Sequence, residues 1–324
     1  MVEYEISENS IMVAIAFDEN TSNLVKFGAY LSKRLEKPLC LIHVVENPDS
    51  LDLPIAFARD VNSLTKLRIL QIMEKSALND RMKKLIDNAD IPRSTKTIVI
   101  SSSDIDKAII QFATKHKAKY IVSGTKKGTN RLVPKGLSTA ISLIENSSVP
   151  VFIVPQENSF AGAENDRLKM FISDSLEADS DQIVRSALEM AILLQCQSID
   201  HVHIYSRHER NHWQTSIWKQ LDLPKKSPPE KLDDQLRQIL QAKIAGFESQ
   251  LNKISCKYRA LIVESADIAE TLLKTIDENS PDIVLFGRHK MLKFKPLGIG
   301  NLPYRTILSK SQIKVIIPVA KNSG

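Results

Sequence analysis

Runs whose apolar residues are consecutive rather than alternating punctuate the first half of the chain: Ile11–Ala16 (IMVAIA) and the stretches 39–45, 96–101, 119–123 and 150–154, built around Val, Ile and Leu. A strand that is apolar throughout is covered on both faces, as parallel strands are, whereas a strand with one wet face alternates. Between these runs apolar residues fall three and four apart, which predicts helices near 21–35, 62–89, 104–117 and 137–147. Strands that alternate with helices connect as right-handed βαβ units, so the pattern predicts a doubly wound parallel sheet of five strands.

The second half repeats this plan, with strand-like runs near 168–173, 201–205, 258–264, 282–286 and 314–319. An ungapped offset of 163 residues lays Gly124 on Gly287, Lys127 on Lys290 and Pro155 on Pro318. Upstream, IMVAIA is matched to LKMFIS (Leu168–Ser173), and LIHVV (Leu41–Val45) to HVHIY (His201–Tyr205). A repeat of this length makes each copy a domain, giving domain 1 at 1–155, a polar linker at 156–166 and domain 2 at 167–324. Domain 2 carries an insertion at about 207–232 that holds Trp213 and Trp218 and is punctuated by Pro224, Pro228 and Pro229, which reads as a loop or lid.

Composition changes this picture little. A length of 324 residues with 43% hydrophobic and 25% charged positions suits two ordinary soluble cores. The net charge of +6 is small for this length, and no aromatic-basic motif, zinc finger or basic zipper accompanies it, which argues against a nucleic-acid partner. Cys40, Cys196 and Cys256 form neither a CxxC pair nor a disulfide framework and fit a reducing cytoplasm. The acidic start MVEYEISENS is unlike a secretory signal, and no apolar run has the ~20 residues a membrane span needs.

In a doubly wound sheet of order 3-2-1-4-5, ligands bind beyond the carboxyl ends of strands one and four. In the first copy, residues there are Ala16, Asp18, Gly124, Lys127, Gly136 and Ser138; in the second, Asp174, Gly287, Lys290, Gly300 and Asn301. The duplicated pattern and these loops resemble the universal stress protein family, whose fold is adenine nucleotide α-hydrolase-like. ATP-binding members have an Asp at the end of strand one and a loop Gly-x2-Gly-x9-Gly-(Ser/Thr) after strand four. An acid can accept hydrogen bonds from the nucleoside, glycines admit phosphate to the backbone, and the next helix start offers free N–H groups.

On that resemblance Asp174, Gly287, Lys290, Gly300 and Asn301 are the expected nucleotide-binding residues. The first copy, with Ala16 at the end of strand one and Asp18, Gly124, Lys127, Gly136 and Ser138 around it, is expected to bind less well. Lys127 and Lys290 stand where the second glycine belongs. His43 and His203 occupy matching places in strand two and read as structural. The implied function is a stress-response or regulatory protein that takes ATP, with Mg as its companion ion, in domain 2. The resemblance also implies a pseudo-dimer between the two domains, and leaves a homodimer or a protein partner as further assembly. The alternatives are a nucleotide-free interaction scaffold with degenerate phosphate loops and, third, a slow ATPase. Walker, GxSxG, HExxH and Rossmann motifs are absent, so no catalytic or metal-binding residue is assigned.

Overall fold

The computed structural model describes residues 7–46, 73, 76–87, 91–92, 94–125, 135–156, 167–176, 179–206, 229–288 and 312–318. The chain divides into two compact units, Met1–Glu164 and Asn165–Gly324.

The first unit runs β1 (Ile11–Ala14), α1 (Thr21–Leu35), β2 (Leu39–Glu46), a helix α2 at 76–87, β3 (Lys96–Ser102), α3 (Ile105–Lys115), β4 (Tyr120–Thr125), α4 (Lys135–Asn146) and β5 (Val151–Pro155). Its strands lie in the order β3-β2-β1-β4-β5, every neighbour parallel. The apolar runs are buried as their composition demands: Ile11, Met12, Val13, Ile121, Val122, Phe152 and Ile153 are all closed to solvent. Helix α1 buries Leu24, Val25, Phe27, Leu31 and Leu35, the one stripe its spacing provides. It ends where Glu36 turns left-handed (φ 51°) and its amide bonds back to Lys33. Asp104 caps α3 by accepting from the Lys107 amide at 3.2 Å. At Gly28 in α1, a Cβ would lie 2.3 Å from Val13 Cγ2, so glycine is what lets the helix sit down on β1.

The second unit follows the same course: β6 (Lys169–Ser173), α5 (Ser180–Leu193), β7 (Ser198–Ser206), α6 (Pro229–Ile244), α7 (Glu248–Lys253), β8 (Lys257–Ser265), α8 (Ile268–Asn279), β9 (Ile283–Arg288) and β10 (Ile313–Pro318). Its order, β8-β7-β6-β9-β10, is the first unit's order element for element, again all parallel. Asp267 caps α8 through the Ala269 and Glu270 amides at 2.9 and 3.0 Å. The insertion with Trp213 and Trp218 lies outside the described residues, apart from its last residues, which begin α6.

The ladders correct one match made from sequence. Ile11 pairs with Leu39 and Tyr120, and Met170 pairs with Ile199 and Ile283, so Met170 is the counterpart of Ile11. The strand LKMFIS therefore sits two residues out from its expected alignment with IMVAIA. A displacement of two preserves which face each side chain occupies, so the apolar pattern carries no mark that would reveal it.

Candidate functional site

The crevice of each unit lies where the chain leaves strand one, beside the end of strand four. Three backbone features fix which residues correspond there. The Ile15 amide donates to Ile42 O and the Asp174 amide to Val202 O, both at 2.9 Å. His43 Nδ1–H donates to Ile15 O, and His203 Nδ1–H to Asp174 O, both at 2.8 Å. Two residues further on, Phe17 (φ 53°) and Leu176 (φ 57°) hold the same left-handed turn. Asp174 is thus the counterpart of Ile15, and the counterpart of Ala16 is Ser175.

This one-residue difference from Ala16 decides where the carboxylate goes. Ala16 and Ser175 are exposed and half-exposed, while Ile15 and Asp174 are 5% and 4% exposed and turn inward. Neither unit places an acid at the crevice position that Ala16 marks. The fully buried Asp174 carboxylate is surrounded by its own chain instead. Oδ1 accepts from the Leu176 amide (2.8 Å); Oδ2 accepts from His201 Nε2–H and from the Lys243 ammonium, each at 2.9 Å. Lys243 reaches in from α6, also donates to Ser180 Oγ, and lies 3.1 Å from Asp181 Oδ1. The other face of the imidazole is closed by Tyr258: His201 Nδ1 lies 2.7 Å from its hydroxyl, which donates to Leu240 O at 3.2 Å.

The electrostatics follow from the contacts. Burial by itself would push the Asp174 carboxyl up. The His201 hydrogen bond and charge, the Lys243 charge and the Leu176 amide outweigh burial and hold it well below the usual carboxylate range. The Tyr258 hydroxyl is pushed up by burial and by the Asp174 charge. This is a satisfied internal network with its charge neutralised, and its acceptors on Asp174 are already taken.

The first unit fills the same space differently. Ile15 and Leu41 stand where Asp174 and His201 do, both buried and apolar. Asp18, expected at the nucleotide, instead opens α1: its Oδ1 accepts from the Asn20 amide (3.1 Å) and the Thr21 hydroxyl (3.4 Å). Gly124, next to last in β4, lies under Asn20, whose Nδ2 donates to Val154 O at 3.1 Å. A Cβ on Gly124 would lie 2.6 Å from that nitrogen, so the glycine is accounted for by the asparagine packed on it. Beyond it, Phe17 meets the His43 ring edge-on at 4.8 Å and carries the Arg81 guanidinium 4.4 Å from its own ring centre.

Of the other expected residues, Gly287 is half-buried near the end of β9, paired with Ile317. Gly136 and Ser138 fall in the first turn of α4. Lys127, Lys290, Gly300 and Asn301 lie outside the described residues. His201, Lys243, Tyr258 and Ser180 were not anticipated. His201 carries a readable signal, since it replaces Leu41 in the matched strands. Lys243 carries none, being 69 residues from Asp174 in the chain. Among the described residues no cluster of His, Cys, Asp and Glu could hold a metal, and no helix is long and apolar enough to cross a membrane.

With the geometry in hand, comparison places the first unit. Residues 9–155 match the Universal stress protein family, so this unit carries one such domain. No curated protein matches the chain. Among solved structures, a universal stress protein from Archaeoglobus fulgidus DSM 4304 is similar with a TM-score of 0.62 at 11% identity, over 98% of both chains. A functionally unknown protein from Pseudomonas aeruginosa PAO1 is similar with a TM-score of 0.60 at 13% identity, over 96% of this chain and 93% of that one. At these identities the likeness is one of fold.

Proposed function

We propose that this chain is a tandem stress-response protein of the universal stress type that works as a nucleotide-free interaction scaffold, with both units built on one framework. Its second unit supports the tandem reading by repeating the strand order and the histidine-to-carbonyl bond of strand two, His203 to Asp174 O as His43 to Ile15 O. One observation carries the nucleotide-free reading: the crevice position beyond strand one holds Ala16 in one unit and Ser175 in the other, while Asp174 is turned inward and spent on His201 and Lys243. Neither Ala16 nor Ser175 offers a carboxylate at that position, which supports a crevice without an adenine nucleotide. The three free, buried thiols support a reducing, cytoplasmic setting.

The test is direct. Protein purified without added nucleotide is heat-denatured and the supernatant chromatographed for adenine nucleotides, and ATP·Mg is titrated calorimetrically into the intact chain. The expected result is no released nucleotide and no binding heat. Nucleotide released near one equivalent per chain, with retention lost in Gly287→Val or Gly300→Val, would overturn the reading in favour of ATP binding in the second unit.

A further inference from the structure

Helix α6 presents the sheet with a repeating surface. Leu232, Leu236, Leu240 and Ile244, all buried, recur at an interval of four residues. Leu232 and Leu236 pack with Tyr205, flanked by Leu176, Ile239 and Ile262. A stripe of this kind does not define its own position along the helix axis. Sliding α6 by one turn, about 5.4 Å, sets Leu236 in the place of Leu232, Leu240 in that of Leu236 and Ile244 in that of Leu240. Three of the stripe's four places then stay apolar, while the flanking place of Ile239 passes to Lys243 or Gln235. The Tyr258 bond to Leu240 O is equally indifferent, because any residue brought there offers a carbonyl.

Two side-chain ties do distinguish the seatings. Tyr205 donates to Asp233 Oδ1 at 2.6 Å near the start of α6, and Lys243 reaches Asp174 near its end at 2.9 Å. After a slide in one direction Arg237 stands in the place of Asp233 and that of Lys243 falls beyond Ile244, the end of the helix; in the other direction, Ile239 and Pro229 stand in the places of Lys243 and Asp233. Either way the buried Asp174–His201 pair loses its cation, and Tyr205 faces a guanidinium or a proline. A polar contact set among interchangeable leucines is the best-attested use of a buried charged group, and one-turn ratchets of packed helices are a known kind of two-state change.

We infer that the Asp174–Lys243 bond, together with Tyr205–Asp233, is an alignment device that selects one seating of α6 on the second unit's sheet. It acts on which structure forms more than on how stable that structure is.

The experiment measures α6 position in the full chain. Nitroxides are placed on cysteines introduced at the exposed positions Asp234 on α6 and Glu189 on α5, the native thiols being buried. Pulsed dipolar spectroscopy of the otherwise native protein gives one distance. Lys243→Met/Tyr205→Phe removes both ties while keeping the stripe and the Asp174–His201 pair. It is expected to give two populations, separated by up to about one helical turn of 5.4 Å. If that variant does not fold, the wholly apolar set Asp174→Ile/His201→Leu/Lys243→Met/Tyr205→Phe is measured in its place with the same expectation. A single distance equal to that of the native protein, in whichever variant folds, would overturn the proposal.

Discussion

Replacing Asp174 by alanine removes the acceptor at the centre of the second unit's buried network. His201 Nε2–H is then left in a site with no solvent access, and Lys243, 11% exposed, keeps Ser180 and the outlying Asp181. Breaking a buried pair by deleting one partner costs about 3–5 kcal/mol, most of it the desolvation of the group left behind. Replacing the three side chains together by apolar residues is different in kind, because no charged group remains in the site to be desolvated, only the Leu176 amide and the Ser180 and Tyr258 hydroxyls. Asp174→Ile/His201→Leu/Lys243→Met installs the residues that the first unit itself uses at two of these places, Ile15 and Leu41. Its expected stability equals that of the native protein or exceeds it by about 1–4 kcal/mol. Urea unfolding followed by tryptophan fluorescence reads the second unit alone, since both tryptophans, Trp213 and Trp218, belong to it. With a slope of about 2 kcal/mol per molar urea, the alanine variant moves the midpoint down by about 1.5–2.5 M. The triple variant does not. A downward shift below about 0.5 M for Asp174→Ala, or a triple variant as damaged as the single one, would refute the reasoning.

Further consequences are open to simple measurement. The Asp174 carboxyl titrates lower in the folded than in the unfolded chain, so the unfolded state takes up the proton first. The stability it contributes is complete above the unfolded value of about 3.9 and is lost as pH falls below it. Acid unfolding of the second unit should therefore be shallower in the triple apolar variant; an identical pH profile would contradict this. In the first unit, Gly28→Ala forces a Cβ to within 2.3 Å of Val13 Cγ2 and should destabilise by about 1–3 kcal/mol in a thermal melt. Asn20→Ala should cost about 1–2 kcal/mol through loss of its bond to the Val154 carbonyl, and an unchanged melting temperature would refute the role given to it.

Much of the architecture is written in the sequence. Apolar runs such as VFIVP and the helical spacing of Leu24, Leu31 and Leu35 have a single physical interpretation, burial on both faces of a strand or one face of a helix. The site was less legible, for two separable reasons. A slip of LKMFIS by two residues leaves every side chain on its proper face, so its alternation does not mark the register. Only the ladder pairing of Met170 with Ile199 and Ile283 fixes it. The one-residue step from the expected place of Ala16 to that of Ile15 is what turns Asp174 from a residue that looks outward to one that looks in. Lys243 was illegible because its partner is remote in the chain and because a lysine near the end of a helix is ordinarily a solvated charge.

The contrast between Ile15 with Leu41 in one unit and Asp174 with His201 in the other also limits how such halves can diverge. If both descend from one ancestral domain, a single exchange at either place passes through a protein with an orphaned charge or an orphaned imidazole buried in its sheet. Substitutions here are therefore conditional on one another, and each background rejects what the other requires. Chimeras that trade these positions in a block should fold where residue-by-residue grafts fail, so the two halves, alike in backbone, are no longer interchangeable in small pieces.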